Sequence, residues 1–142
     1  MLNNKAMAKI AIVEDDALLA QMYSQKFKKD GYEVIRADDG KKGLELIKQE
    51  KPSLVLLDIM MPEMNGLEVL KALKEDSDNK INSIPVILLT NLARGDKDVN
   101  RGLELGAVTY LIKRKVKPAE VVLKVKEVLK ASGENDIPRP KG

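Results

Sequence analysis

Five short apolar runs alternate with longer amphipathic stretches, and no other feature of this sequence restricts its fold as strongly. The runs lie at residues 10–13, 32–37, 54–57, 86–89 and 110–112. Each has the length of a β-strand and is rich in β-branched or long aliphatic residues. The first, third and fourth are continuously apolar, as is typical of parallel strands covered on both faces. The second and fifth are shorter or include polar residues, which favours the two edges of a sheet.

The stretches between the runs have the spacing of amphipathic helices. They span Ala17 to about Lys29, Lys41–Gln49, Leu67–Lys74, Asp96–Leu105, and a last stretch from Pro118 to just before Gly133. Strands that alternate with helices imply right-handed crossovers between parallel strands. We therefore predict an α/β fold, a doubly wound (βα)5 five-stranded parallel sheet with the flavodoxin-like order 2-1-3-4-5.

The length of 142 residues suits one domain. We expect an N-terminal extension at residues 1–7, the domain at 8–132 and a disordered tail at 133–142, because the tail has little apolar content. No apolar run approaches the roughly 20 residues of a membrane span, and no signal-peptide core precedes the first strand. The expected location is therefore cytoplasmic, without a membrane partner.

The composition excludes several kinds of chemistry. The chain has no cysteine and no histidine, which rules out disulfides, thiolate zinc sites, thiol nucleophiles and histidine-based catalysis or metal binding. The net charge is +3, from 25 basic and 22 acidic residues. This mild excess does not argue for nucleic-acid binding. Carboxylates, hydroxyls, lysines and oxygen-bound cations remain.

Acidic residues follow two of the central strands. Glu14, Asp15 and Asp16 leave the first strand, and Asp58 leaves the third. In an open α/β sheet the carboxyl ends of these strands border the ligand-binding crevice, so the carboxylates should converge there. Unpaired, they would raise one another's pKa values, and a divalent cation such as Mg²⁺ is the ordinary remedy. Asp16 is the exception, because its position suits the N-cap of the first helix.

Asp58 has no such capping role, since no helix is predicted before Gly66. Thr90 and Lys113 leave the fourth and fifth strands on the same rim. Either residue alone is weak evidence. Together with the acidic residues they form a set that is complementary to a metal-bound phosphoryl group.

Four ordered segments, at residues 12–16, 57–66, 88–90 and 106–113, carry a resemblance to a known family. The second has the pattern D-x-x-M-P-x-M-x-G. On these segments the chain resembles a response-regulator receiver domain of two-component signalling, from about residue 8 to 131. The resemblance suggests a stand-alone, single-domain receiver rather than a turnover enzyme.

The resemblance implies a role for each matching residue. Asp58 is expected to be the phosphoacceptor. The expected ligands of Mg²⁺, or of Mn²⁺ in its place, are Glu14, Asp15, Asp58 and the main-chain carbonyl of Met60. The residues expected to bind the phosphoryl group or respond to it are Thr90, Lys113 and Tyr110. Pro62 and Gly66 are expected to set the geometry of the loop after the third strand.

The implied function is phosphotransfer from a histidine kinase or a histidine phosphotransfer protein onto Asp58. This would switch the face formed by the fourth predicted helix, the fifth strand and the fifth helix, for an unknown downstream protein. The chain is expected to be a monomer or a phosphorylation-dependent dimer. The main alternative is a degenerate receiver that binds a partner without phosphorylation.

The sequence gives less support to a phosphatase or to a nucleic-acid binder. A haloacid-dehalogenase-like phosphatase needs a second aspartate two positions after the first, where this chain has Met60. A nucleic-acid binder is suggested by the basic residues at 113–117 and 124–126, but three Tyr, one Phe and no Trp provide few stacking surfaces.

The chain departs from the usual receiver pattern at several positions. Arg114 follows Lys113 where proline is usual, and a trans peptide bond is expected because a cis bond without proline costs about 2.5–4 kcal/mol. Asn91 replaces a small alanine. Met60 and Leu92, two positions after Asp58 and Thr90, cannot align an attacking water, so we expect slow hydrolysis of a phosphoaspartate.

Overall fold

The computed structural model describes residues 8–91 and 96–133. Segments 1–7 and 134–142, together with Leu92, lie outside the described residues. The predicted extension, tail and domain limits therefore stay predictions.

Over residues 8–91 and 96–133, five strands are interspersed with six α-helices. The strands are β1 (Lys9–Val13), β2 (Glu33–Ala37), β3 (Leu54–Asp58), β4 (Val86–Thr90) and β5 (Thr109–Ile112). The helices are α1 (Ala17–Lys29), α2 (Gly40–Glu50), α3 (Gly66–Lys74), α4 (Asn79–Asn82), α5 (Lys97–Glu104) and α6 (Pro118–Ala131). All strand pairs are parallel and their order is β2-β1-β3-β4-β5. The predicted fold class and strand order are confirmed.

The structure has two short elements that the sequence pattern did not predict. Helix α4 has only four residues, and the side chain of Asp78 accepts a hydrogen bond from Lys80 N (2.9 Å) at its start. A 3-10 turn at Lys113–Lys115 follows β5. Both are missed for the same reason, because one helical turn is too short to show an apolar period.

The pattern of burial separates the central strands from the edge strands. Every residue of β3 and β4 is buried, whereas all four residues of β5 are only half-buried and β2 has two exposed residues. Alternate side chains of the central strands point to opposite faces. One face packs under α1 and α6, and the other packs mainly under α2, α3 and α5. This two-sided burial explains why three of the apolar runs are continuous.

Gly66 brings the start of α3 against the end of β3. Its N–H donates to the Ile59 carbonyl oxygen at 2.8 Å. A Cβ atom at this position would overlap the Asp58 carbonyl oxygen and would lie 2.8 Å from Ile59 Cα. The close contact involves main-chain atoms, which cannot rotate away. The helix can therefore approach the strand this closely only if residue 66 is glycine.

We expect Gly66→Ala to lower the free energy of unfolding by about 2 kcal/mol, because the added methyl group forces main-chain atoms apart. Urea denaturation measures the change. Lys41→Ala is the control, since Lys41 is an exposed helical residue and its substitution should stay within about 0.5 kcal/mol of wild type. Equal stability of the two variants would contradict the proposed contact.

Candidate functional site

Three carboxylates converge at the carboxyl ends of β1 and β3. Glu14, Asp15 and Asp58 each offer an oxygen within 4.8 Å of the others. The strand register brings them together, because Val13 pairs with Leu57 and the next residues are Glu14 and Asp58. Glu14 and Asp58 are 0% and 2% exposed, whereas Asp15 is exposed. The cluster is therefore open to solvent on the Asp15 side.

Glu14 is held by contacts to both its side chain and its main chain. Its Oε2 accepts a hydrogen bond from Asp16 N at 2.9 Å. Its carbonyl oxygen accepts one from Arg36 Nη2 of β2 at 2.8 Å, and its N–H donates to the Ala37 carbonyl at 3.1 Å. The role of Arg36 was not predicted. An arginine in an edge strand gives no signal, in sequence, that it reaches a residue 22 positions away.

Asp16 caps α1, as predicted. Its Oδ1 accepts a hydrogen bond from Leu19 N at 3.1 Å, and its own backbone is extended. This side chain therefore satisfies one of the free N–H groups at the start of the helix. Asp16 is not one of the three converging carboxylates.

Lys113 reaches the carboxylates from the end of β5. Its Nζ lies 2.7 Å from Glu14 Oε1 and 3.0 Å from Asp58 Oδ2, and its side chain is 13% exposed. Burial acts to lower the pKa of Lys113, but hydrogen bonds and charges from the two carboxylates outweigh it, so the pKa is raised. No peptide bond between described residues is cis. The predicted trans bond to Arg114 is confirmed, and it does not prevent Lys113 from reaching the cluster.

Asp58 is an acid whose charge is only partly compensated. Burial, followed by the charge of Glu14, raises its pKa to about 7, whereas Lys113 and the Met60 N–H act to lower it. The Met60 N–H donates to Asp58 Oδ1 at 3.3 Å. The Met60 side chain is 62% exposed. At neutral pH, without a cation, the carboxyl is therefore partly protonated.

Thr90 is the last residue of β4, and Tyr110 lies in the neighbouring strand β5. Asp58 pairs in register with Leu89, so Thr90 follows directly at the end of β4, and it is 1% exposed. Tyr110 pairs with Leu88 and is half-buried against the core under α5. The predicted roles of Thr90 and Tyr110 stay predictions.

Pro62 forms part of a tight turn in the loop between β3 and α3. The Met64 N–H donates to the Pro62 carbonyl at 2.8 Å, and the intervening Glu63 has a φ of 69°. This is the geometry of a γ-turn. Ile59 anchors the start of the loop, because its N–H donates to the Leu89 carbonyl at 3.1 Å. The predicted role of Pro62 in loop geometry stays a prediction.

The donor set fits a hard divalent cation. All three convergent side chains supply carboxylate oxygens, which Mg²⁺ and Mn²⁺ accept. Glu14 Oε1 is buried and, among the described residues, its polar neighbour is the Lys113 ammonium. Three carboxylates against one ammonium leave an excess of negative charge in a partly buried cluster. The acidic cluster can therefore bind a metal ion, and a cation there would offset that excess.

The sequence matches the response regulator receiver domain over residues 10–126. The chain belongs to this family, a family of signalling receivers rather than of turnover enzymes, as the resemblance implied. Solved structures agree with this. The fold is similar to a CheY-like receiver domain protein from Methanospirillum hungatei, with a TM-score of 0.82, 29% identity, and coverage of 91% of this chain and 98% of that one. It is also similar to the chemotaxis protein CheY4 from Vibrio cholerae (TM-score 0.79, 30% identity, 87% and 100% coverage).

Curated relatives are longer than this chain. It is 37% identical over 134 residues to a probable transcriptional regulator, ycf27, from Porphyridium aerugineum, which covers 92% of this chain and 53% of that protein. It is also 37% identical to the DNA-binding response regulator MtrA from Mycolicibacterium paratuberculosis, over 89% of this chain and 53% of that protein. The chain thus spans about half the length of these relatives.

Within the described ranges, no helix is long and apolar enough to span a membrane.

The raised pKa of Asp58 makes stability depend on pH. This carboxyl titrates near 3.8 in the unfolded chain and at about 7 in the folded, metal-free protein. Between these values the folded state binds more protons, so its stability falls as pH rises. Asp58→Asn removes this loss. We compare the free energy of unfolding of Asp58→Asn with that of wild type at two pH values. The difference should favour the variant by at least about 1 kcal/mol more at about pH 8 than at about pH 5. Urea denaturation with a chelator measures this, and a difference that does not change with pH would contradict it.

Proposed function

We propose that this chain accepts a phosphoryl group on Asp58, with Mg²⁺, from a histidine kinase or a histidine phosphotransfer protein. The observation that carries the proposal is the position of Asp58, a buried carboxylate within reach of both an ammonium and two further carboxylates. Membership of the receiver family supports the same reaction and the same kind of donor.

In this reaction an Asp58 carboxylate oxygen attacks the phosphorus atom. The P–N bond to the donor imidazole breaks, the nitrogen keeps the electron pair, and a P–O bond forms to give a mixed anhydride. With acetyl phosphate as donor a P–O bond breaks instead and acetate leaves. The transition state carries its charge on the phosphoryl oxygens, so catalysis depends on positioning and electrostatic stabilisation.

Each residue of the site has a distinct part in this proposal. Lys113, already 3.0 Å from Asp58 Oδ2, pairs with a phosphoryl oxygen, and the Thr90 hydroxyl binds another. Glu14, Asp15, Asp58 and the Met60 carbonyl would hold a cation, which would supply further positive charge. The same charge would favour the ionised form of Asp58, which is the nucleophile.

Phosphorylation is then read out at the face formed by α5, β5 and α6. Thr90 moves toward the phosphoryl group, and Tyr110 rotates into the space that this opens. To change the ratio of active to inactive conformation from 1:99 to 99:1, phosphorylation must favour the active conformation by about 5.5 kcal/mol. One or two charge-assisted hydrogen bonds at about 1.5–3 kcal/mol each supply much of that, so a downstream partner completes the shift.

A groove beside β5 supports a protein partner at this face. The groove lies along the edge strand and has a volume of about 430 Å³. Tyr110, Leu111 and Val116 provide apolar surface, and Arg114 provides positive charge. An acidic protein segment complements such a groove better than a nucleic acid does, because the described residues offer few aromatic rings for base stacking.

We expect wild-type protein incubated with acetyl phosphate and Mg²⁺ to gain the mass of one phosphoryl group, as measured by intact mass spectrometry. Asp58→Asn should gain none, because it lacks the nucleophile. Asp15→Asn should be phosphorylated slowly unless the Mg²⁺ concentration is raised. If the wild-type protein stays unmodified, the proposal is overturned. The alternative, a receiver that binds a partner without phosphorylation, would then be favoured.

We also expect the phosphorylated form to persist for minutes or longer in Mg²⁺ buffer without a phosphatase. The exposed Met60 side chain has no group that can align an attacking water. Loss of the phosphoryl mass is followed over time, with Met60→Asn expected to shorten the lifetime. A wild-type half-life of seconds would contradict the expectation.

A further inference from the structure

A side-chain contact connects the two residues that directly follow Thr90 and Lys113, the residues proposed to bind the phosphoryl group. The β4–β5 ladder ends where Thr90 pairs with Ile112. Beyond that pair, Asn91 follows β4, and a 3-10 turn at Lys113–Lys115 follows β5. Across this gap, Arg114 Nη1 donates a hydrogen bond to the Asn91 carbonyl oxygen at 2.7 Å.

The two connected residues are the immediate neighbours of the two residues proposed to bind the phosphoryl group. Asn91 follows Thr90, and Arg114 follows Lys113. A displacement of Asn91 or Arg114 would therefore move a side chain proposed to bind the phosphoryl group. Because the ladder does not extend past Thr90 and Ile112, the Arg114 hydrogen bond acts as one further cross-link between β4 and β5 at the rim.

Both ends of this contact are departures from the receiver pattern noted in the sequence. Arginine stands at 114 in place of proline, and asparagine stands at 91 in place of alanine. The acceptor is the main-chain oxygen of Asn91, so the contact depends on the arginine rather than on the asparagine side chain. A proline at position 114 could not make it, since proline has no side-chain donor.

We infer that Arg114 is a positioning residue for phosphotransfer, and that its hydrogen bond to the Asn91 carbonyl sets the spacing between Thr90 and Lys113. The inference rests on the proposed function. The guanidinium does not touch the reacting atoms. Both residues are exposed, so the contact adds little to the stability of the fold, and its effect should be confined to the geometry of the rim.

The test compares Arg114→Ala, Arg114→Lys and Lys115→Ala with wild type. Lys115 is the matched control, because it is an exposed cation in the same 3-10 turn and its side chain makes no hydrogen bond or ion pair within the described residues. Its replacement removes the same charge without removing the contact. Arg114→Lys keeps a donor of similar reach.

Two quantities are measured for each protein. The first is the rate of phosphorylation by acetyl phosphate at saturating Mg²⁺, followed by intact mass. The second is the affinity for Mg²⁺ alone, obtained from the rise in the unfolding midpoint with Mg²⁺ concentration. Arg114 has no recorded contact with the three carboxylates, and the Lys113 ammonium repels a cation, so a Lys113 displaced from Glu14 and Asp58 would not weaken Mg²⁺ binding.

We expect Arg114→Ala to slow phosphorylation by about threefold to tenfold, which corresponds to at most about 1.4 kcal/mol. Its Mg²⁺ affinity should not fall below that of wild type, Arg114→Lys should recover most of the rate, and Lys115→Ala should match wild type in rate. An unchanged rate in Arg114→Ala would overturn the inference, as would an equal loss in Lys115→Ala or a parallel loss of Mg²⁺ affinity. If wild-type protein takes up no phosphoryl group, the proposed function fails and the inference fails with it.

Discussion

The ammonium of Lys113 lies between two carboxylates that are almost completely buried, 2.7 Å from Glu14 and 3.0 Å from Asp58. Two acids cannot remain charged side by side in such a place without compensation, because burial and mutual repulsion both favour the protonated form. The rest of the site depends on this contact. It keeps negative charge at the end of β3, and it fixes the lysine at the place where a phosphoryl group would need it.

The compensation is incomplete, and this gives the site its chemical character. One ammonium faces three carboxylates, and the pKa of Asp58 is still raised. The remaining negative charge lies toward Asp15, the exposed member of the cluster. The charge is thus shared unevenly, with the Lys113 ammonium against Glu14 and Asp58 and with Asp15 open to solvent.

Much of this arrangement was predictable from local pattern. The apolar runs gave the strands, their continuity placed β1, β3 and β4 in the middle, and the position of Asp16 before an apolar period indicated a cap. The convergence of Glu14, Asp15 and Asp58 followed from the strand order, because residues after neighbouring parallel strands meet at one edge. Helix α4 was missed because four residues are too few to show a period.

Hydrogen bonds from a side chain to a distant main-chain atom were not predictable in the same way. Arg36 reaches the carbonyl of Glu14 across 22 positions, and Arg114 reaches that of Asn91 across 23. Each acceptor is a main-chain oxygen. Because every residue has one, the residue type does not indicate which oxygen will accept the hydrogen bond. The donors are ordinary exposed arginines in an edge strand and a short turn.

The order of apolar and amphipathic segments by itself determined the sheet, its strand order and which acids would meet, since these follow from periodicity and from the handedness of parallel crossovers. Only the tertiary structure decided how the charges are shared. The reach of Lys113, the raised pKa of Asp58 and the link from Arg114 to the neighbouring loop all depend on distances of a few ångströms between separate elements. Such distances are set by how the helices and loops pack on the sheet, and no local pattern encodes them.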